Sequence, residues 1–367
     1  MSATSIITKG TKMKKGQDVT KMLTQINEDT KHKADYLVDL KSINITENNV
    51  YNYPDMEVSH LTRGKFSLSD NSLIQLCGRL GIGTQYIKKC LPISQQLVAH
   101  NLNFWINKSE DKELMLRTYE VEPDGSPYET VKEARAICSN RYKRIDNDVV
   151  ANHTLNKLMD LGMELKYVNY DRDTLNVTAV NPKMEGEIKK GDVVQSGVTI
   201  TNSEIGTGSL VIQPFIYRLV CTNGMVAPRY LNKFYSRHVG KIVIDTTKDE
   251  QYITIIDKMQ KQIDLIASKD VWDESFDGLY KSTKEEINSH QIVKIAKRHG
   301  VSQEERAQIF ERLNHYVGDT FTTTKYDLAN AITNMGNDEN RSDARARFFQ
   351  ELGGLIVFSN NPMRVAI

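Results

Sequence analysis

A chain of 367 residues, 39% hydrophobic and 26% charged, has enough apolar material for a sizeable core and more than one domain. Its formal net charge of +1 excludes a chain that is basic throughout, so any hold on nucleic acid must come from local basic patches. No run approaches the ~18 apolar residues of a membrane span, and the lysine-rich start lacks an apolar h-region, so no membrane association and no secretory signal are expected. Cys77, Cys90, Cys138 and Cys221 stand far apart without a Cys-x-x-Cys pair, which reads as reduced thiols in a cytoplasmic protein.

Taken in order, residues 1–34 read as a flexible basic leader with one short helix near 18–28. Residues 35–245 read as an α+β core domain, mainly antiparallel sheet with packed helices. Short β-like pieces occupy 36–56, and Ser69-Asp70 opens a helix carrying Leu73, Leu76, Cys77 and Leu80 at helical spacing. Further helix is expected from Tyr86 to Leu91 and again towards Asn103-Phe104-Trp105. Strands follow at 113–121 and over ARAICSNRYKRI, with a Pro123-Asp124-Gly125 turn between them. Asp146 or Asp148 is placed to cap a helix over 148–161, and residues 163–181 alternate as a hairpin around Asp171–Asp173. The charged segment 183–192 reads as an exposed loop. Residues 246–367 read as a mostly helical region, with helices over 249–267, 303–316 and two later segments.

The stretch 195–225 holds the most informative pattern. Val194, Ser196, Val198 and Ile200 share one strand face, and Gln195, Thr199 and Thr201 share the other, as in a half-solvated antiparallel strand. Asn202, Ser203, Glu204 and Gly206 form a tight polar turn, and Asn223 and Gly224 read as a second turn at a strand end. Arg218 falls on the face of Leu210, Ile212 and Ile216, where a cation is costly. Either a bulge at Pro214 moves it off that face, or a buried carboxylate such as Glu204 pairs with it.

Residues 214–241 contain no Asp or Glu and interleave Arg218, Arg229, Lys233, Arg237 and Lys241 with Phe215, Tyr217, Tyr230, Phe234 and Tyr235. A second patch comprises Arg135, Arg141, Tyr142, Lys143 and Arg144. Cations beside aromatic rings suit single-stranded nucleic acid, because phosphates meet the cations while bases stack on the rings. The same residues also fit plain strand edges with aromatics packed beneath.

The segments Ser139-Asn140-Arg141-Tyr142-Lys143-Arg144-Ile145-Asp146-Asn147, Gly197-Val198, Asn202-Ser203-Glu204-Ile205-Gly206 and Phe215–Met225 resemble the phage/plasmid-like proteins of domain-of-unknown-function family 932. Asp35–Asp39 and Asp327–Thr333 are similar too, so the resemblance spans roughly 35–360. It implies a gene of mobile-element origin in a bacterial host and supplies no catalytic residues.

Three readings follow. The first is a single-stranded DNA-binding protein, a strand-annealing recombination or replication factor that forms homo-oligomers by analogy with such proteins. The second is an enzyme acting at the Asn202-Ser203-Glu204 turn, with Arg218 and Arg141 clamping an anionic substrate. The third is a host-interaction protein that binds no nucleic acid and uses the helical region. The chain lacks G-x-x-x-x-G-K-[ST], H-E-x-x-H and G-x-S-x-G, and its eight histidines lack ligand spacing, so neither metal nor cofactor is expected.

Overall fold

The computed structural model describes residues 16–48, 53–61, 64–110, 113–121, 131–219, 223–226, 234–236, 250–317, 323–338 and 340–362. Helix α1 (Val19–Lys31) begins at Asp18, whose carboxylate accepts from Lys21 N, and buries Val19, Met22 and Ile26 along one stripe. Then come β1 (Lys33–Asp39), β2 (Ile43–Thr46), β3 (Asp55–Val58), β4 (Lys65–Leu68), α2 (Asp70–Arg79), α3 (Thr84–Cys90), α4 (Gln95–Lys108), β5 (Glu113–Val121) and β6 (Val131–Ser139). The six strands form one sheet in the order β1-β5-β6-β4-β3-β2, with β4 and β6 the parallel pair. Helix α2 starts at the predicted place because Ser69 and Ser72 cap one another reciprocally. Leu73, Leu76, Val98 and Leu102 from α2 and α4 close over Phe66, Leu68 and Leu116 of the sheet.

The second sheet is built from β7 (Glu164–Tyr170), β8 (Thr174–Lys189), β9 (Asp192–Ser203), β10 (Leu210–Arg218), β11 (Asn223–Val226) and β12 (Phe234–Ser236), preceded by α5 (Asn147–Asp160) and followed by α6 (Glu250–Ile266). Its order is β11-β10-β9-β8-β7, with β12 also on β10, and the pairs are antiparallel. Period-two alternation gives it an apolar face (Leu175, Val177, Val198, Ile200, Leu210, Ile212) that packs on α1, α5 and α6. The expected loop at 183–192 is instead the end of β8 and its hairpin return. There Lys183, Glu185 and Glu187 are exposed and alternate with better covered neighbours, so high charge marks one strand face.

Helices dominate the remainder: α7 (Lys269–Ser282), β13 (Glu286–Ile287), α8 (Ser289–Arg298), α9 (Gln303–Val317), β14 (Thr323–Thr324), α10 (Lys325–Asn334) and α11 (Asp343–Phe358). Trp272, Leu279, Ile332, Phe349 and Leu352 from these helices share a core with Val194, Ile216 and Met225 of the second sheet. The fold is α+β, as the residue pattern predicts. Among the described residues no helix is long and apolar enough to cross a membrane.

Candidate functional site

The turn after β9 lies at the junction of the two sheets, and its polarity has a structural cause. Glu204 is 1% exposed, and its carboxylate meets Lys33 Nζ at 2.9 Å, Arg135 Nη1 at 3.0 Å and the backbone N–H of Asn147 at 2.7 Å. Asn147 is the first residue of α5, so Glu204 caps that helix from a distant part of the chain. Asp146, one of the two residues expected as the cap, occupies the N-cap position without capping. Its carboxylate is taken by Arg117 Nη2 (2.5 Å) and Arg144 Nη2 (2.6 Å). Burial alone would raise the Asp146 carboxyl, but these two guanidinium groups outweigh it and hold it well below the usual carboxylate range.

Arg117, itself 1% exposed, also holds Asp35 at 2.9 Å and donates to the Glu204 carbonyl at 2.7 Å. Arg135 reaches Asp173 at 2.7 Å and the Thr118 carbonyl at 3.1 Å. Four cations (Lys33, Arg117, Arg135, Arg144) thus meet four carboxylates (Asp35, Asp146, Asp173, Glu204). Each buried charge has its counter-charge, which is the condition for burying it at all.

Several residues expected to bind nucleic acid belong to this hub. The Tyr142 ring is 6% exposed, its hydroxyl donates to the Glu204 carbonyl at 2.8 Å, and burial pushes its phenol far up. Arg144 is tied to Asp35 and Asp146, Lys143 is half-buried, and Arg141 is exposed. Arg218 lies elsewhere. The β9–β10 register is unbroken through Pro214, so no bulge moves Arg218 off the apolar face. Pro214 sits between the segments of β10 that pair with β12 and with β11, a gap at the outer side of the strand in which a residue without an N–H is tolerated. Arg218 is instead neutralised by Asp192, at 2.6 and 2.8 Å, and Tyr326 donates to the same carboxylate at 2.9 Å. The partner is therefore Asp192 and not Glu204.

Arg229, Tyr230, Lys233 and Arg237 lie outside the described residues, and Tyr235 is placed by its backbone pairing with Val211. Among the turn residues, Asn202 donates to the Ile145 carbonyl and to Asn147 Oδ1, and Ser203 Oγ bonds Thr207 Oγ1 at 2.7 Å. Gly206 has φ +75, the left-handed conformation that a glycine accepts without cost. Asn223 and Gly224 are in strand β11. Gly224 is required by packing, since an added Cβ would lie 1.7 Å from Phe215 Cζ.

The opposite face of the second sheet is polar and is covered, where the alternation suggested half-solvation. Tyr167, Thr178, Thr199 and Gln213 align across four strands, and Asn169, Asn176, Thr201 and Val211 form the next row. Helix α11 lies over them and leaves a cleft of about 730 Å³ at the second row, lined also by Asp171, Ser203, Ser209, Asp343, Arg347, Phe348 and Glu351. Among the described residues no group of three or more His, Cys, Asp or Glu is arranged to hold a metal ion.

The basic-aromatic pattern sought at 139–144 and 214–241 is also present, facing solvent, at 84–108. These 25 residues contain no Asp or Glu and include Lys88, Lys89, His100 and Lys108. Phe104 is 50%, Trp105 46% and Tyr86 50% exposed, while Val98, Leu102 and Ile106 bury the inner face of α4. The Phe104 and Trp105 rings meet edge to face at 5.4 Å. Lys88 pairs with Asp70 of α2 at 2.8 Å, a surface ion pair that a phosphate can displace at little cost. The absence of acids across the run was visible in the sequence, but which rings face outward depends on how α4 packs.

No curated protein and no solved structure matches the chain. A family model does, over residues 135–350, which include the hub apart from Lys33, Asp35 and Arg117, and nearly all of the cleft, but not α3 or α4. With more than half of its length so matched, the chain belongs to the family described as Domain of unknown function (DUF932).

Proposed function

We propose that this protein binds single-stranded nucleic acid, with DNA the favoured ligand, and that the face formed by α3 and α4 is the contact surface. The observation that carries the reading is the pair of half-exposed rings, Phe104 and Trp105, on an acid-free helix bearing Lys108 and His100 beside a second helix with Lys88 and Lys89. A base is a flat apolar surface that an exposed ring can stack on, and cations alongside neutralise its phosphates. Duplex DNA keeps its bases stacked on one another, so the rings favour single strands. Arg141, exposed on the 139–146 segment, is a further cation available to a strand. Service in strand annealing during a mobile element's replication or recombination is the finer form of the proposal, and it requires self-association as well.

One observation favours a second reading. Ile93 is 78% and Leu97 43% exposed near the same rings, and exposed apolar surface of this kind marks protein docking as well. A labelled single-stranded DNA oligomer, titrated by fluorescence anisotropy, decides between them. The proposal predicts binding at ~50 mM salt that weakens steeply as salt rises, and about a tenfold loss in Trp105→Ala and again in Lys89→Glu. Absence of binding at ~50 mM salt would overturn it and leave docking as the reading.

A further inference from the structure

Sheet faces covered by a helix are ordinarily apolar, because burying hydroxyl and amide groups without partners is costly. The face of β7–β10 beneath α11 breaks that rule over two full cross-strand rows. Thr201 is 7% exposed and Asn176 half-buried, and neither side chain hydrogen-bonds another described residue. Thr178 and Thr199, each 7% exposed, meet only one another, at a long 3.4 Å. Asn176 and Thr201 line the space that α11 leaves open, whose volume of about 730 Å³ falls within the range of small-molecule sites, while Thr178 and Thr199 line a smaller recess of about 60 Å³ that Asn176 and Thr201 also border.

The charges in the cleft narrow the ligand. Asp171, Asp343 and Glu351 outnumber Arg347, so a phosphate or other polyanion is disfavoured. The acids are themselves occupied. Asp343 accepts from Tyr167 Oη at 2.8 Å and Asn169 Nδ2 at 2.9 Å. Glu351 pairs with Arg347 at 3.2 Å, and Asp171 accepts from the backbone of Asp173 and Thr174 at 3.2 and 2.7 Å. What remains for a ligand is a set of neutral donors and acceptors, with Phe348 as an apolar wall. We infer that the cleft binds a neutral molecule bearing adjacent hydroxyl groups, of the size of a mono- or disaccharide or a nucleoside. Hydroxyls of the ligand complete the bonds of Asn176 and Thr201, and its flatter, less polar side lies against Phe348.

Saturation-transfer NMR and calorimetry with D-glucose, maltose, D-ribose, adenosine and adenosine monophosphate test this. The expected result is saturable binding of at least one neutral compound, with the sugars and adenosine separating the two sources of the diol. Adenosine monophosphate is expected to bind more weakly than adenosine. Thr201→Val keeps the side-chain shape and removes the hydroxyl, and about a tenfold loss of affinity is expected. Ala344→Trp, at an exposed position on the rim, should abolish binding by filling the opening while the unfolding temperature stays unchanged. Failure of all four neutral compounds to bind, tighter binding of the monophosphate, or full affinity in Ala344→Trp would each overturn the inference. Single-stranded DNA binding at α3–α4 is expected to be untouched by both variants, which keeps the two proposals separable.

Discussion

Arg144 and Lys89 are both cations close to aromatic residues, and the structure sets them in opposite surroundings. Arg144, beside Tyr142, is fastened to Asp35 and Asp146 within a hub in which carboxylates balance the cations. Lys89 is exposed on a helix pair without any acid, with Phe104 and Trp105 also turned outward. What separates the two regions is the availability of carboxylates and not the residue types. In the hub, β1, the start of α5, the β7–β8 turn and the turn after β9 bring Asp35, Asp146, Asp173 and Glu204 to the arginines. The lesson is that a basic-aromatic run stays available to a ligand only where the fold does not tie its cations into buried ion pairs, and Asp70 meets Lys88 at the surface.

That contrast can be broken by substitution, and the largest effect is expected in the hub. Glu204→Gln leaves Lys33 and Arg135 without their shared anion in a site 1% exposed, which should cost about 3–5 kcal/mol in chemical denaturation. A loss below ~1 kcal/mol would show that the hub tolerates an unpaired cation. Trp105→Ala, by contrast, should leave stability within ~0.5 kcal/mol, because half of the ring is already in water.

Next in size is an acid limb. The Asp146 carboxyl is held below its ordinary value in the folded chain. Its contribution is therefore full above the unfolded value near pH ~4 and is lost as pH falls through the folded value. The amount is on the order of 2 kcal/mol for a carboxylate paired in this way. Asp148 acts with the opposite sign, since burial and the neighbouring Asp146 raise its carboxyl and its protonation relieves a cost. Asp146→Asn isolates the first term: neutral-pH stability should fall and the slope of stability between pH ~2 and ~4 should flatten. An unchanged slope would mean that Asp146 is not coupled to Arg117 and Arg144. Smaller again is Gly206→Ala, which forces an alanine to φ +75 with its Cβ 3.2 Å from Gln75 Nε2, at a cost of about 1–2 kcal/mol. An unfolding midpoint unchanged from wild type would refute the strain.

Much of the fold was legible from local chemistry. Ser69 at the start of α2, the hairpin at Asp171–Asp173 and the stripe Met259, Ile263, Ile266 all act within one or two turns of chain. What stayed hidden depends on long-range partners. Asp192, which neutralises Arg218, and Tyr326, which donates to Asp192, are 26 and 108 positions from Arg218, so the apolar strand gave no hint of which acid would serve. Glu204 caps a helix 57 residues earlier, which no capping pattern reads. Thr199 and Thr201 of β9 looked half-solvated because α11, which covers them, is more than a hundred residues further on. Residues 84–108 could have been singled out by their lack of acids, but the outward turn of Phe104 and Trp105 becomes definite only once Val98, Leu102 and Ile106 are seen to face the core.

The most direct test uses the protein's own fluorescence. Trp272 is 8% exposed, so in a Trp272→Phe background the emission comes from Trp105, which is 46% exposed on the proposed contact surface. Titration with a single-stranded DNA oligomer at ~50 mM salt should quench that emission saturably, and raising the salt should shift the midpoint to higher DNA concentration. Emission that stays constant while the DNA demonstrably binds, or no binding at all, would contradict the placement of the functional surface on α3 and α4.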